Sequence, residues 1–534
     1  MFADSRRRFG ATLAISIASA LSFSGIVALH AQSPADLDSR LDAALKAAGF
    51  TGRIKDKLPT LDQEKVLLGR DLFFDKILAL HGDNSCSGCH APQRAYGDTQ
   101  SIAIGVDNND IVGEGRKGPR NQRRSPILVN TAFYPKLMWN GRFSSLSGNP
   151  FDNSKGFLFP SPEGSEKFGA HDQTVKSLLA AQGHIPSTEM PEMAGFRGAE
   201  GQVVAFSRFG GDFVLVDSKA VSRLPAPVSK SEARTINAMR IAPMSNVNDG
   251  DKLPDPDFNG SRNEAIRTQV LEKVQNSAYK DRFAKAFPES AGKAISFGMI
   301  GTALAEFQFS LTMADAPLDR FARGDRTAMS AQAKEGALIF FGKGQCVGCH
   351  AVAGQSNEMF SDFENHNIGV PPLFPGVGGQ FIKHETGNVV FDFNTGDVGL
   401  ADILKEDPSA KYKFRTSPLR NIARQKTFMH NGTFTSIRSA VVHHLDVRKS
   451  MQSYSADTEK VAADIRNMGP KHLVLQDLSP KIANPIQLSS TEIDALVAFI
   501  EQGLTDPKTE PANLCKDIPV QLPSGNAPHK FEGC

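Results

Sequence analysis

Cys86-Ser87-Gly88-Cys89-His90 and Cys346-Val347-Gly348-Cys349-His350 are the two stretches that decide how this chain is read. Cys-x-x-Cys-His is the attachment signature of c-type haem. The two thiols become thioethers on the porphyrin, and the adjacent imidazole takes the iron as its proximal ligand. Zinc ligation or dithiol redox chemistry is the other use of such a pair. A zinc ribbon, however, needs its second pair about 15–20 residues on, and these pairs lie in opposite halves of the chain. The expectation is two covalently bound c-type haems, with His90 and His350 as proximal ligands.

At 534 residues the chain has room for two or three domains and a large core. Its net charge of +2 gives no reason to expect a polyanion partner, and its aromatics are mostly Phe, with five Tyr and one Trp, which argues against nucleic acid. Arg6, Arg7 and Arg8 precede an apolar run over 11–29, and Ala31 is a cleavage point. This reads as an export signal over 1–31, with an uncleaved anchor as the alternative. Ser5-Arg6-Arg7-Arg8-Phe9 resembles a twin-arginine signal, but c-type haem is attached to an unfolded exported chain, so the general secretory route and a periplasmic location are expected. No other stretch is long and apolar enough to span a membrane, so no span is expected in the mature chain. An oxidising compartment suits the remaining cysteines, Cys515 and Cys534, as a disulfide pinning the last loop.

A degenerate repeat runs through the chain. Gly69-Arg70-Asp71-Leu72-Phe73-Phe74 precedes the first pentad and Gly336-Ala337-Leu338-Ile339-Phe340-Phe341 the second. Each reads as the end of an amphipathic helix with a Phe pair at its haem. Helical periodicity is clearest over 261–287, 295–314, 331–341 and 491–502, and 202–216 is the best short strand candidate. Residues 91–211 read as long ordered loops wrapping a cofactor. A boundary falls within 323–331. The fold expectation is mainly α, with two cytochrome c-like haem domains and long ordered loops. The N-terminal haem domain is set at 32–325, the C-terminal one at 326–505, and the tail at 506–534.

Further motifs occur in order: Leu68 to Asp75, the first pentad, Ser125-Pro126-Ile127-Leu128-Val129-Asn130, Trp139-Asn140-Gly141-Arg142, the second pentad, Phe414-Arg415-Thr416-Ser417-Pro418-Leu419-Arg420-Asn421 and His430-Asn431-Gly432. Over about residues 60–505 the chain resembles the bacterial dihaem cytochrome c peroxidase superfamily. That superfamily includes dihaem enzymes that oxidise protein tryptophans, with dihaem rubber oxygenases as more distant relatives. The resemblance implies an N-terminal haem that binds peroxide and a C-terminal haem that relays electrons.

The segment 435–445 reads as a helix with Ile437, Ala440, Val441, His444 and Leu445 on one stripe, which turns His444 inward and His443 about 100° away. The resemblance places the second haem's sixth ligand at His444, where typical peroxidases carry Met and the tryptophan-modifying relatives Tyr. The reading is a bis-histidine iron on His350 and His444, with a hydrogen-bonded core His or ligation by Met429 as alternatives. Histidine in place of methionine lowers the potential. At the first haem the family's capping His is replaced by Val106, so an open distal site is expected, with His81 and His184 as structural residues or substitute ligands. A carboxylate in an apolar pocket suits the proton transfer that peroxide cleavage needs. The resemblance selects Glu189, with Glu192 as second candidate, and Gln182 as the distal amide at a shorter spacing. It also places Trp139 between the haems as an electron carrier and assigns Arg142, Arg415 and Arg420 to motifs whose guanidinium groups suit haem propionates. The family's inter-haem calcium has Arg124 at one ligand position, beside Gln425 and Thr427, and an Arg there repels the ion. The basic run Arg116, Lys117, Arg120, Arg123, Arg124 reads as serving propionates, an acidic partner or solvent.

The leading function is a periplasmic peroxidase that reduces hydrogen peroxide to water with electrons from a small redox protein, a cytochrome c or cupredoxin. Two alternatives are kept. One is oxidation of an organic or protein substrate by the same irons, which the missing Met ligand and the open distal site favour. The other is an electron carrier with both irons capped. A homodimer is one open arrangement.

Overall fold

Two helix pairs form the framework, and both are closed by the same contact. Helix Gln63–Phe74 crosses helix Phe297–Ser310 at Gly69, where a Cβ would lie 1.9 Å from the Ala303 carbonyl oxygen. Helix Ala331–Phe341 crosses helix Ser490–Ala498 at Gly336, where a Cβ would lie 1.9 Å from the Ala495 carbonyl oxygen. Hydrogen is the only side chain that fits either crossing. All four helices start at a capping side chain: Asp62, Ser296, Ser330 and Ser489 each accept from an amide of the first turn. The computed structural model describes residues 34–106, 108–118, 120–159, 168–194, 202–206, 213–217, 263–290, 292–374, 382–383, 389–391, 396–465 and 467–534. The export signal expected over 1–31 lies outside them. Among the described residues no helix is long and apolar enough to cross a membrane.

The fold is mainly helical, with short two- and three-stranded sheets. The periodic stretch 261–287 forms two helices, Asn263–Gln275 and Tyr279–Ala286. The break follows from Ser277, whose hydroxyl donates to the Val274 carbonyl and accepts from the Tyr279 amide, competing with the helix ladder. The stretch 202–216 is an antiparallel hairpin, Gln202–Phe206 on Phe213–Asp217.

Each pair carries an aromatic cluster. Phe73, Phe74, Phe307 and Tyr96 pack edge to face in one, and Phe340, Phe341, Phe499 and Phe360 in the other. The repeat therefore extends beyond the Gly-to-Phe-Phe stretch to the partner helices, where Ala303 and Phe307 match Ala495 and Phe499. A third core, with Phe143, Phe159, Phe168 and Leu178, supports the loops after the first pentad.

Linear boundaries at 32–325 and 326–505 do not describe the packing. The first helix, Pro34–Ala48, buries Leu41 and Leu45 with Phe340 and Phe360 in the second core, and Leu318 and Phe321 join them. Leu514 and Leu522 of the tail are buried in the first core. The chain ends are exchanged because each core completes its apolar surface with the arm that reaches it. Gly336→Ala forces apart two helices in backbone contact. A loss at the upper end of the about 1–3 kcal/mol range for overpacking is expected, read as a lower thermal midpoint; an unchanged midpoint would contradict this packing.

Candidate functional site

In both pentads Nδ1 of the histidine is held by backbone carbonyls, two for His90 and one for His350. Nδ1 of His90 donates to the Tyr96 and Pro126 carbonyls at 3.1 and 3.0 Å. Nδ1 of His350 donates to the Phe360 carbonyl at 2.8 Å. A histidine held this way has one tautomer and presents Nε2 as the ligand atom. The acceptors Tyr96 and Phe360 are left-handed residues, at φ 58° and 59°, whose rings anchor in the matching aromatic clusters. Burial pulls both histidines down to about 4, which keeps the imidazoles neutral. Burial pushes the thiols of Cys86, Cys89 and Cys346 up to about 12, the reverse of what a redox dithiol needs.

The second site holds a facing histidine. His444, on helix Ile437–Leu445, donates from Nδ1 to the Ala440 carbonyl at 2.7 Å, which leaves its Nε2 free. The His350 and His444 ring centres are 6.3 Å apart. Two metal–imidazole bonds of about 2.0–2.1 Å, plus the ring radii, require nearly that separation. His443 is spent elsewhere: Nδ1 lies 3.1 Å from the Ser450 hydroxyl and Nε2 2.9 Å from the Ile368 carbonyl. Among the described residues His90 has no ring partner of this kind. Val106 is fully buried, and His184 is packed between Phe168 and Phe297 with Nδ1 on the Ala180 carbonyl.

The residues fit a haem on a further count. Arg415 is buried against the rings of Tyr134 and Phe363 and donates only to the carbonyls of Met138 and Thr416. Among the described residues no carboxylate pairs with it, and burial pulls it down to about 10. The Tyr134 hydroxyl beside it is buried and has no hydrogen-bond partner among the described residues. A buried guanidinium and a buried hydroxyl left this way call for an anion such as a propionate. Arg420 does not share that role. Its guanidinium is held by both Asp319 carboxylate oxygens at 2.7 and 2.8 Å, with Nε on the Glu358 carbonyl.

Trp139 is where the halves meet. Its indole Nε1 donates to the Arg124 carbonyl at 2.8 Å, and its own carbonyl accepts from the Arg415 amide at 2.6 Å. The Arg124 amide in turn donates to the His430 carbonyl at 2.9 Å. Met138-Trp139-Asn140-Gly141 and Met429-His430-Asn431-Gly432 are the same turn, with Met and Gly left-handed in both. Each glycine faces the other half: a Cβ on Gly141 would meet Asn365 at 2.9 Å, and one on Gly432 would meet Ser101 at 2.5 Å. This repeated Met-x-Asn-Gly was readable in the sequence and marks the interface. Asn130 and Asn421 close it by donating to one carbonyl, that of Met313.

Arg120, Arg123 and Arg124 of the basic run serve the same interface, whereas Lys117 is exposed to solvent. Arg120 pairs with Asp464, and Arg123 pairs with Asp397 and Asp402. Arg116 is buried on the carbonyls of Ile104 and Ile111. Arg124 donates to the Gln425 side-chain oxygen, so a guanidinium engages one of the candidate calcium ligands, and Thr427 donates to the Gln100 carbonyl. Arg142 stacks on Phe143 and lies 3.8 Å from the Glu189 carboxylate. Glu192 sits closer to the first pentad: Asn84 holds its carbonyl, and its charge helps to raise both thiols there. Gln182 ends the short helix Leu178–Gln182. Cys349, Asp362 and His366 bring ligand atoms within 4.8 Å of one another, but a thioether on Cys349 takes that sulfur.

A family model described as di-haem cytochrome c peroxidase matches residues 63–206 and 227–327. Methylamine utilization protein MauG of Methylophilus methylotrophus is 23% identical over 402 residues, spanning 75% of this chain and 78% of that protein. Cytochrome c551 peroxidase of Pseudomonas aeruginosa is 29% identical over 226 residues, spanning 42% of this chain and 57% of that protein. The solved diheme peroxidase BthA of Burkholderia thailandensis E264 superposes with a TM-score of 0.47 at 17% identity, over 88% of this chain and 91% of that one. Over residues 63–206 and 227–327 the chain is thus similar to the di-haem cytochrome c peroxidase family. It is a haem-dependent oxidoreductase.

Proposed function

We propose that the protein is a periplasmic peroxidase that converts hydrogen peroxide, two protons and two electrons to two waters, drawing the electrons from a small cytochrome c or cupredoxin. The observation that carries this reading is the asymmetry of the two sites. His350 faces His444 across a metal-sized gap, which suits electron relay. His90 stands opposite no such ring among the described residues, which suits a site that admits a ligand. The residues that would hold the two haems are Cys86, Cys89 and His90 in one half, and Cys346, Cys349, His350, His444 and Arg415 in the other. When bound, the haems supply electron storage and a metal site for peroxide.

The chain's own residues supply the rest. Glu189, steadied by Arg142, takes a proton from one peroxide oxygen and returns it to the other. Trp139 bridges the halves: its indole bonds to the carbonyl two residues before Pro126, which holds His90, and its carbonyl bonds to Arg415. From there Ser361, next to Phe360, donates to the Thr416 carbonyl and brings the route to His350. Trp139→Phe is expected to slow electron exchange between the sites and leave the haem content unchanged.

The test begins with stoichiometry. The mature protein should exceed its chain mass by two haems, and replacing Cys346 and Cys349 by Ala together should remove one. A single haem in wild type, exported by a host with full attachment machinery, refutes the architecture. Peroxide consumption coupled to a reduced cytochrome c or cupredoxin then tests the activity. Oxidation of an organic or protein substrate is the second reading, favoured by His444 and Val106 at their positions; turnover of such a substrate with peroxide and no donor protein would select it. No peroxide consumption at all would leave an electron carrier.

A further inference from the structure

The C-terminal tail leaves the second core and packs on the first pentad. Cys515 and Cys534 are joined by a disulfide. Within the loop it closes, Lys530–Phe531 adds a parallel strand to Ile111–Val112, and Phe531 packs against Phe74. Gln93, three residues past His90, donates to the Glu532 carbonyl at 3.2 Å. Asn526 donates to Asp75 at 2.9 Å.

One tail side chain reaches the pentad itself, and a second reaches a residue that holds its histidine. His529 is fully buried, with Nδ1 2.8 Å from Asp110. Its Nε2 would lie 3.1 Å from a Cβ on Gly88, between the two haem-binding cysteines, beside Asn84 and Arg116. Asp517, two residues after Cys515, accepts from the Tyr96 hydroxyl at 2.6 Å. Tyr96 is one of the two residues whose carbonyls receive Nδ1 of His90, Pro126 being the other. It follows Ala95, also left-handed at φ 51°, so this acceptor sits on two consecutive strained residues whose ring end the tail holds. The second site provides an internal contrast. Its equivalent residue, Phe360, has no hydroxyl and is anchored by ring contacts with Phe50, Phe340 and Phe341.

We propose that the tail is a disulfide-fastened strap in which Asp517 is a positioning residue for the first haem alone, fixing, through Tyr96, one of the two carbonyls that orient and polarise His90. The proposal rests on the reading of Cys86, Cys89 and His90 as a haem site. A carbonyl held on Nδ1–H makes the imidazole a stronger donor and favours the ferric iron. Loosening it raises the potential.

The experiment measures the midpoint potentials of both haems by spectroelectrochemistry in the holoprotein, with the haems distinguished by spin state, and the iron–histidine stretch of the reduced first haem by resonance Raman. Tyr96→Phe copies the second site and keeps the ring. Asp517→Ala removes the acceptor. Cys515→Ser with Cys534→Ser opens the strap. Asp517→Asn keeps an acceptor oxygen and is the rescue control. Removing a group that holds a metal-ligating histidine typically costs about 10–100-fold in metal affinity or activity, and this contact acts one residue further out, so a shift of about 3–10-fold in the ferrous-to-ferric ratio at fixed potential is expected; tenfold is 59 mV for one electron. The first haem's potential should rise and its stretch should fall in the first three variants, with the second haem unmoved and Asp517→Asn at wild type. Lower thermal midpoints with both potentials unmoved, or equal shifts in both haems, would overturn the proposal. A wild-type protein without haem on Cys86 and Cys89 fails the underlying haem reading instead.

Discussion

Glu189→Gln should react with hydrogen peroxide about 10²–10⁴-fold more slowly than wild type, the range general acid–base catalysis supplies. The amide keeps the size and hydrogen-bonding shape of the side chain but cannot take up and return a proton. Glu189 faces Arg142 at 3.8 Å and is neither fully buried nor fully exposed, so the substitution should leave both haem spectra in place. Glu192 is the built-in control, since its charge is felt at the Cys86 and Cys89 thiols and its backbone is tied to Asn84. Stopped-flow mixing of each variant with peroxide separates them. A wild-type rate in Glu189→Gln transfers the role to Glu192, and a slow Glu189→Gln with a changed haem spectrum points to disturbed packing.

His444→Ala should convert the second iron from low spin to high spin, a complete change in its paramagnetic resonance signal. Removing the imidazole that faces His350 would leave the proposed haem with one histidine ligand. His443→Ala should leave the spin state alone and lower stability, because that ring bonds to Ser450 and Ile368, and losing a buried hydrogen-bonded group costs about 1–3 kcal/mol. The adjacent residues thus have opposite expected signatures. A reversed pattern, or a methionine–iron charge-transfer band in wild type, would move the ligand to His443 or Met429.

Local pattern carried much of this protein in its sequence. The pentads, the glycine and Phe pair ahead of each, and the helix stripe that turns His444 inward depend on residues a few positions apart, where chain geometry leaves little choice. Half of the repeat is not legible in the sequence, because Ala303 and Phe307 lie far from Gly69 along the chain and meet it only at a helix crossing.

Arg420 and Arg415 show the limit of such patterns. They sit in one motif, yet Asp319 neutralises the first and nothing among the described residues neutralises the second. Motif spacing does not record which buried charge has found a counter-ion. The basic run was legible as charge, but its partners Asp397, Asp402 and Asp464 come from the other half, so its use as a seam between halves was not.

The sequence by itself determined the two Cys-x-x-Cys-His pentads, the helices that precede them and the inward turn of His444, because each is encoded in short-range spacing. Tertiary structure alone decided that the first helix completes the second core, that the tail fastens the first, and that Trp139 and His430 occupy matching turns at the seam. Those outcomes depend on which distant apolar surfaces and buried hydrogen-bonding groups are brought within reach, and that is settled only when both halves pack together.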